Sequence, residues 1–351
     1  MTAQAAQDAR PPEPVDVVAL GESMVTFVPT RPGRLADVPS FERGIGGAES
    51  NVVCALAAAG HTTRWVSRVG ADGFGDHLVR TVAGYGVDTS AVRRDPDRPT
   101  GIYFRTAGDR ATDAHEVAYY RAGSAASAMS TANLDRAALR SGRLLHLSGI
   151  TAALSADCLE LMSTLVDPAA GADGVSFDVN HRPGLWRRPG DARVLLDLAR
   201  GADLVFVGED EADEAWGITG GPDAIREALP EPQLLVVKRG AEGAVAFGTD
   251  TGRHEEPAPR VDVVAAVGAG DAFAAGFLSA TLRGLPVGQR LRHGHLMAAA
   301  ALTVPGDLAT PPARSHADRL AALDADTWER LHLGPGWTTA DDQAEEEVPT
   351  P

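Results

Sequence analysis

Val267-Gly268-Ala269-Gly270-Asp271-Ala272-Phe273 runs into the small apolar stretch Ala274-Ala275-Gly276-Phe277-Leu278, and this is the segment that decides the fold. Two glycines around one alanine allow a tight turn that brings successive backbone N–H groups to the start of a helix, which the sequence carries on to about Gly284. Unpaired amide donors and the positive end of the helix dipole point the same way there, so the turn is an anion site. Asp271 adds a carboxylate beside the bound anion, placed to accept a proton from an attacking hydroxyl. On its own the motif also reads as a helix N-terminus with an acidic first turn.

Working outward, short apolar runs alternate with longer helical ones. Val15–Leu20, Arg64–Val69, Leu144–Leu147, Val175–Phe177, Leu204–Val207 and Leu234–Val237 read as buried strands. Ser50–Ala59, Phe74–Tyr85, Ser155–Val166 and Ala192–Arg200 read as helices between them. This alternation predicts a parallel sheet with helices on both faces. Polar residues follow each strand: Gly21-Glu22, Ser148-Gly149, Asp178-Val179-Asn180-His181-Arg182, Gly208-Glu209-Asp210-Glu211 and Lys238-Arg239-Gly240. Ligands of open parallel sheets bind at the carboxyl ends of the strands, so these tips are expected to line one crevice with the Gly268–Asp271 turn.

Val25–Gly44 and Thr100–Gly123 break the scheme with strand-like alternation and turns rich in Gly, Pro and Asp. They read as antiparallel hairpins that close over a substrate as a lid, make a dimer contact, or both. Alternation puts Tyr119 and Arg121 on one side, facing the crevice with Tyr103. Gly46-Gly47-Ala48-Glu49-Ser50-Asn51 opens the first long helix, and Asn51 offers a donor and an acceptor to hydroxyl groups.

The 351 residues carry a net charge of −16, which argues against nucleic acid or an anionic membrane as partner. Met1–Pro14 lacks an apolar core and reads as a disordered leader; residues 334–351, with Asp341, Asp342, Glu345, Glu346 and Glu347, read as a disordered acidic tail. Between them, 15–333 is expected to form a single domain. No run approaches the ~18 apolar residues of a membrane span, and Cys54 and Cys158 read as buried free thiols, so a cytoplasmic location is expected. No P-loop, nucleophile elbow, His-Glu-x-x-His or clustered His/Cys set occurs, and Gly44-x-Gly46 lacks the third glycine of a dinucleotide fingerprint.

Taken together, Gly46-Gly47-Ala48-Glu49-Ser50-Asn51, Val69-Gly70-Ala71-Asp72-Gly73-Phe74-Gly75 and Gly268-Ala269-Gly270-Asp271-Ala272-Phe273 resemble both halves of the signature of the ribokinase-like (PfkB) sugar kinases. The resemblance covers roughly Val15 to Leu333. It implies a ribokinase-like, Rossmann-type three-layer α/β sandwich with a mainly parallel central sheet and a small β-sheet lid.

Gly21-Glu22-Ser23-Met24, Tyr119-Tyr120-Arg121-Ala122-Gly123-Ser124-Ala125, His146-Leu147-Ser148-Gly149-Ile150-Thr151 and Asp178-Val179-Asn180-His181-Arg182 are most similar to 2-keto-3-deoxygluconate kinases. That resemblance implies phosphorylation of the terminal hydroxyl of a 2-keto-3-deoxy sugar acid by ATP with Mg²⁺. It implies Asp271 as base, with Gly268, Ala269, Gly270 and Arg182 stabilising charge. Gly47, Ala48, Asn51, Tyr103, Tyr119, Arg121 and Asp307 are the implied sugar contacts. Asn180, Arg182, Lys238, Arg239, Gly240, Gly243, Gly268 and Gly270 fall on the nucleotide side, and Glu211 faces the outer shell of the magnesium. A homo-oligomer formed through the lid sheet is expected.

Arg121 beside Tyr119 offers a planar, charge-assisted clamp for the acid's carboxylate. Ala265-Ala266 stands where the family usually has Asp-Thr or Asp-Pro, so no monovalent-cation ligand is predicted there. Gly208 and His181 also depart from the family's usual Asn or Ser and Tyr. A neutral-sugar kinase, a non-catalytic sugar sensor of the same fold and, more remotely, a dinucleotide oxidoreductase are the alternatives.

Overall fold

The structure, a computed structural model, describes residues 12–106, 116–167, 174–186, 188 and 190–339. In chain order the elements are β1 (Val15–Leu20), β2 (Met24–Pro29), β3 (Phe41–Gly46), α1 (Ala48–Ala58), β4 (Thr63–Val66), β5 (Arg68–Gly70), α2 (Gly73–Gly84), β6 (Arg93–Asp95), β7 (Ile102–Arg105) and β8 (Val117–Tyr120). Then come α3 (Arg136–Leu139), β9 (Gly142–Ser148), α4 (Gly149–Ala152), α5 (Ala156–Leu165), β10 (Val175–Asp178), α6 (Val194–Arg200), β11 (Leu204–Gly208), α7 (Glu209–Trp216) and α8 (Gly221–Ala228). The last third holds β12 (Leu234–Lys238), β13 (Ala244–Gly248), β14 (Gly252–Glu256), β15 (Arg260–Val261), α9 (Ala269–Leu282), α10 (Val287–Leu302), α11 (Arg314–Ala321), α12 (Ala325–Glu329) and β16 (His332–Leu333).

Eight strands form the central sheet in the order β14-β13-β12-β11-β10-β9-β1-β4. From β12 to β4 every pairing is parallel. Strand β1 shows why the sheet must be covered twice. Val18 and Leu20 point into one core with Leu147, Phe177 and Val207, while Val17 and Ala19 point into the other with Phe206, Val236 and Phe277. An apolar residue at each successive position leaves no polar face for solvent, and helices take both sides. The three-layer sandwich follows.

Several boundaries differ from the sequence reading. Strands β13 and β14 form an antiparallel edge that the alternation of apolar runs did not disclose. Arg253, His254 and Glu255 give β14 a polar pattern, and a hairpin needs no helical crossover to announce it. The single strand expected at Arg64–Val69 is two, because Ser67 turns out of the sheet and donates to the Gly21 carbonyl at 2.7 Å. The tail was expected from residue 334, yet Trp337 is buried against Trp328 and Leu333, so packed chain continues to Thr339. Within the expected leader, the carbonyl of Glu13 accepts from Arg64 at 3.0 Å. Residues 1–11 of that leader and 340–351 of the tail lie outside the described residues.

The two expected hairpins are present and form one sheet. Strands β2 and β3 pair antiparallel, β7 and β8 pair antiparallel, and β2 joins β7 in parallel, giving the order β3-β2-β7-β8. Residues 107–115, in the turn of the second hairpin, lie outside the described residues. On one face Phe104 stacks on Phe27 at 4.8 Å between centroids and meets Phe41 and Tyr120 edge-on. The opposite face carries Tyr103 and Tyr119, which are paired in register with rings 5.3 Å apart.

Candidate active site

Helix α9 starts where the Gly268–Asp271 motif predicts. Gly268 caps it in the left-handed region at φ 79°, and a side chain there would run into the carbonyl oxygen of Asp307. Only glycine satisfies both demands. With its cap residue offering no side-chain partner, the first turn of α9 leaves backbone N–H groups for a ligand. Asp271 lies in that turn, half-buried, and its Oδ2 accepts a 2.8 Å hydrogen bond from Asn51 Nδ2 of α1. This contact joins the two separated halves of the signature. Burial pushes the Asp271 carboxyl up to about 7; the Asn51 hydrogen bond opposes this, Asp178's charge adds to it, and Arg182 and Lys238 oppose it. A carboxylate so poised has the proton affinity of a general base at neutral pH.

The ends of parallel strands assemble the cationic side of the crevice. Lys238, the last residue of β12, donates to both oxygens of Asp178, the last residue of β10, at 3.0 and 3.1 Å. Glu211 Oε2 lies 4.0 Å from the same ammonium. Burial alone would lower the pKa of Lys238, but the charges of Asp178 and Glu211 hold it above the ordinary lysine value. Its Nζ is 3.8 Å from where a Cβ on Gly270 would sit, so the cation adjoins the glycine turn. Arg182 is about half exposed, donates to its neighbour's carbonyl at 2.8 Å and approaches Glu211 at 3.6 Å. Asn180 adopts φ 41°, with its side-chain oxygen buried and unpartnered.

The other residues expected on the nucleotide side have different surroundings. Arg239 is engaged by Glu209 at 3.1 Å, by Glu255 at 3.3 Å and by Glu242, a carboxylate ring on the rim. Gly240 and Gly243 shape the loop between β12 and β13 with positive φ. Glu211 closes the first turn of α7 by accepting from the Gly208 N–H at 2.7 Å. No group of three or more His, Cys, Asp or Glu residues able to hold a metal by itself occurs among the described residues.

On the opposite wall, Gly47 caps α1 so closely that a Cβ would lie 2.8 Å from Ser23 Cα, and Ala48 is buried behind it. Arg121 sits 5.9 Å from the Tyr119 ring and donates through Nε to Glu22 at 2.8 Å; Ser124 donates to the other Glu22 oxygen at 2.5 Å. Tyr103 donates its hydroxyl to Asp307 Oδ2 at 3.1 Å, and Arg105 donates to Oδ1 at 2.7 Å. Contacts join Gly47 to Asn51, and Arg121 through Tyr119 and Tyr103 to Asp307, all residues expected from the sequence to meet the sugar.

Sequence reasoning gave Glu22, Asp178 and Arg105 no role of their own. Glu22 and Asp178 were visible as acids directly after apolar strands, and both are buried. Arg105 was accessible by the same alternation that placed Tyr119 with Arg121, since it lies two residues from Tyr103. Glu49 was also passed over. It is fully buried, accepts from Ser148 and Thr151 at 2.7 Å each, and burial pushes its carboxyl up to about 7 against those hydrogen bonds.

The sequence pattern of the pfkB family carbohydrate kinases matches residues 15–314. The 2-dehydro-3-deoxygluconokinase of Bacillus subtilis (strain 168) is 36% identical over 308 residues, 86% of this chain and 93% of that protein. That of Thermoproteus tenax is 34% identical over 310 residues, 87% of this chain and 94% of its own length. The crystal structure of a PfkB protein from Polaromonas sp. JS666 superposes with a TM-score of 0.77 at 37% identity, covering 87% of this chain and 99% of that one.

Proposed function

Because the chain belongs to the pfkB family of carbohydrate kinases, we propose that it transfers the terminal phosphoryl group of ATP to the end hydroxyl of a sugar acid. The acceptor best supported is 2-keto-3-deoxygluconate, giving its 6-phosphate, since relatives at 36% and 34% identity over most of the chain carry the name 2-dehydro-3-deoxygluconokinase. The observation that carries the reading is the hydrogen bond between Asn51 and Asp271, which ties a carboxylate at the anion turn to the wall expected to hold the sugar.

In this reading Asp271 takes the proton of the hydroxyl as its oxygen attacks phosphorus. The N–H groups of the Gly268–Gly270 turn and the side chains of Lys238 and Arg182 face the phosphates, so charge on the transferred group meets donors already in place. Holding the hydroxyl in line is the work of Asn51 and the lid, and closing the lid excludes the water that would otherwise compete. Mg²⁺ suits the site in its usual manner, through substrate phosphates and one or two carboxylates, with Glu211 the residue that would face its outer shell. When bound, it supplies neutralisation of phosphate charge.

Arg121 with Tyr119 forms the carboxylate clamp, and Tyr103, Gly47 and Asp307 complete the sugar contacts. Asn180, Gly240 and Gly243 belong to the nucleotide side; Arg239, ringed by three acids, shapes the loop at its edge. A cytoplasmic homo-oligomer joined through the lid belongs to the same reading. Strand β8 is a lid edge with Val117, Tyr119 and Tyr120 exposed, and no helix among the described residues is long and apolar enough to cross a membrane.

One observation favours a second reading. Glu22 already neutralises Arg121, so the clamp presents less net charge than a free guanidinium, which a neutral sugar such as fructose would tolerate. A substrate panel with coupled ADP detection decides. The expected outcome is the highest kcat/KM with 2-keto-3-deoxygluconate or its galactonate-derived epimer; equal or better turnover of fructose or ribose would overturn the sugar-acid assignment.

A further inference from the structure

We propose that Arg105 is a positioning residue which, through Asp307, latches the lid to the turn backing the phosphate-binding glycines. The proposal rests on the reading of Asp307 as a sugar contact. Strand β7 presents Tyr103 and Arg105 on the same face, and each grips a different oxygen of the Asp307 carboxylate, at 3.1 and 2.7 Å. Two donors on two oxygens fix the plane of the group as well as its place. The Arg105 and Asp307 side chains are only 8% and 6% exposed, so little water is available to substitute for either partner.

The space around the contact is tight on both sides. On the lid, a Cβ at Gly46 would lie 2.7 Å from Asp307 Oδ2 and closer still to the Tyr103 hydroxyl, so this strand is flush with the pair. On the core side, the carbonyl of Asp307 blocks any side chain at Gly268, the residue that begins the anion turn. One residue thus touches the lid with its side chain and the catalytic turn with its backbone. Between β7 and that turn there is no slack, and the stacking of Phe104 on Phe27 stiffens the strand from behind.

Arg105 also compensates the buried charge. Burial raises the pKa of Asp307 and the Arg105 guanidinium opposes that rise. An ionised, correctly turned carboxylate accepts hydrogen bonds from sugar hydroxyls; without Arg105 it would lose both its orientation and its compensating charge. Asp307 then makes the contact with substrate while Arg105 acts through it.

The test is a double-mutant cycle of Arg105→Gln, Asp307→Asn and the pair, with Arg105→Lys as the conservative control, on whichever acceptor the substrate panel turns over best. ATP affinity is followed in parallel by a fluorescent nucleotide. Each single change is expected to lower kcat/KM for the acceptor by about 10²-fold, with part of the loss in kcat, and to leave ATP affinity within about threefold. The double variant is expected to be no worse than the poorer single one, and Arg105→Lys to recover about a tenth of wild-type activity or more. Additive losses would overturn the proposal, as would variants that lose only thermal stability while kcat at saturating acceptor is unchanged. A coupled cycle measured on a neutral sugar would keep the latch and discard the sugar-acid reading.

Discussion

On the sheet side of the crevice, Lys238 lies between Asp178 and Glu211, delivered by two parallel strands of the central sheet and by the first turn of the helix that follows the strand between them. On the lid side, Arg121 reaches Glu22 and Arg105 reaches Asp307, partners 99 and 202 positions away in the chain. Both sides bury a cation against a carboxylate, but different things hold them. Sheet register fixes the first set: Gly208 is the partner of Lys238 across β11 and β12, and Asp178 that of Phe206 across β10 and β11. The second set joins a separate four-stranded sheet, or the residue that follows it, to the loops at the ends of the core elements. The difference assigns the work. In the proposed kinase reading, strand ends fixed by register suit charge that must be in place at the moment of transfer, and pairs between the small sheet and the core loops suit the choice and retention of the acceptor.

That contrast can be broken by changes on each side. The largest effect belongs to the core: Asp271→Asn is expected to lower turnover by about 10²–10⁴-fold with little loss of ATP binding, measured by steady-state kinetics and nucleotide titration. A lid change is expected to act selectively. Arg121→Ala should lower kcat/KM for a sugar acid by about 10²-fold and for ATP by far less, and it leaves the buried Glu22 with its Ser124 hydrogen bond but without a cation. Equal losses for both substrates would put Arg121 in the scaffold and end its role as a clamp.

The smallest effect on turnover is expected at Glu49, which binds Ser148 and Thr151 at the sheet ends and feels the charge of Arg121. Burial pushes its carboxyl up to about 7, from the 4.5 of a free glutamate. The folded state therefore holds this proton more tightly, and the associated stability is complete below pH 4.5 and lost as pH rises through 7. Relative to wild type, Glu49→Gln should gain stability across that window, up to about 3 kcal/mol by linkage. Melting curves of both proteins from pH 5 to 8.5 would show it, and a constant difference would mean that Glu49 is ionised throughout.

The two sides were unequally legible in the sequence. Gly268, Gly270 and Asp271 lie within four consecutive residues, and the need for glycine is met at Gly268, while the parallel strands advertise themselves as apolar runs with polar ends. The lid hairpins were readable from alternation around Phe27, Phe104 and Tyr120. What stayed hidden depends on partners distant in the chain. Nothing near Arg121 announces Glu22, and nothing near Arg105 announces Asp307. The antiparallel edge escaped for a different reason: β14 is Gly-Arg-His-Glu-Glu, whose place in the sheet comes from its ladder to β13 and not from burial of its own side chains. The packed end at Trp337 was masked by the acidic residues that follow it.

The most direct test of Asp271 as the base is the pH dependence of kcat/KM for the acceptor, in wild type and in Asp271→Asn. Burial places this carboxyl near 7, and only its ionised form accepts the proton, so wild-type activity should fall below about pH 7 with a slope of one proton. The residual activity of Asp271→Asn should lack that limb. A flat wild-type profile between pH 5.5 and 8.5, or an acid limb that survives the substitution, would contradict the account.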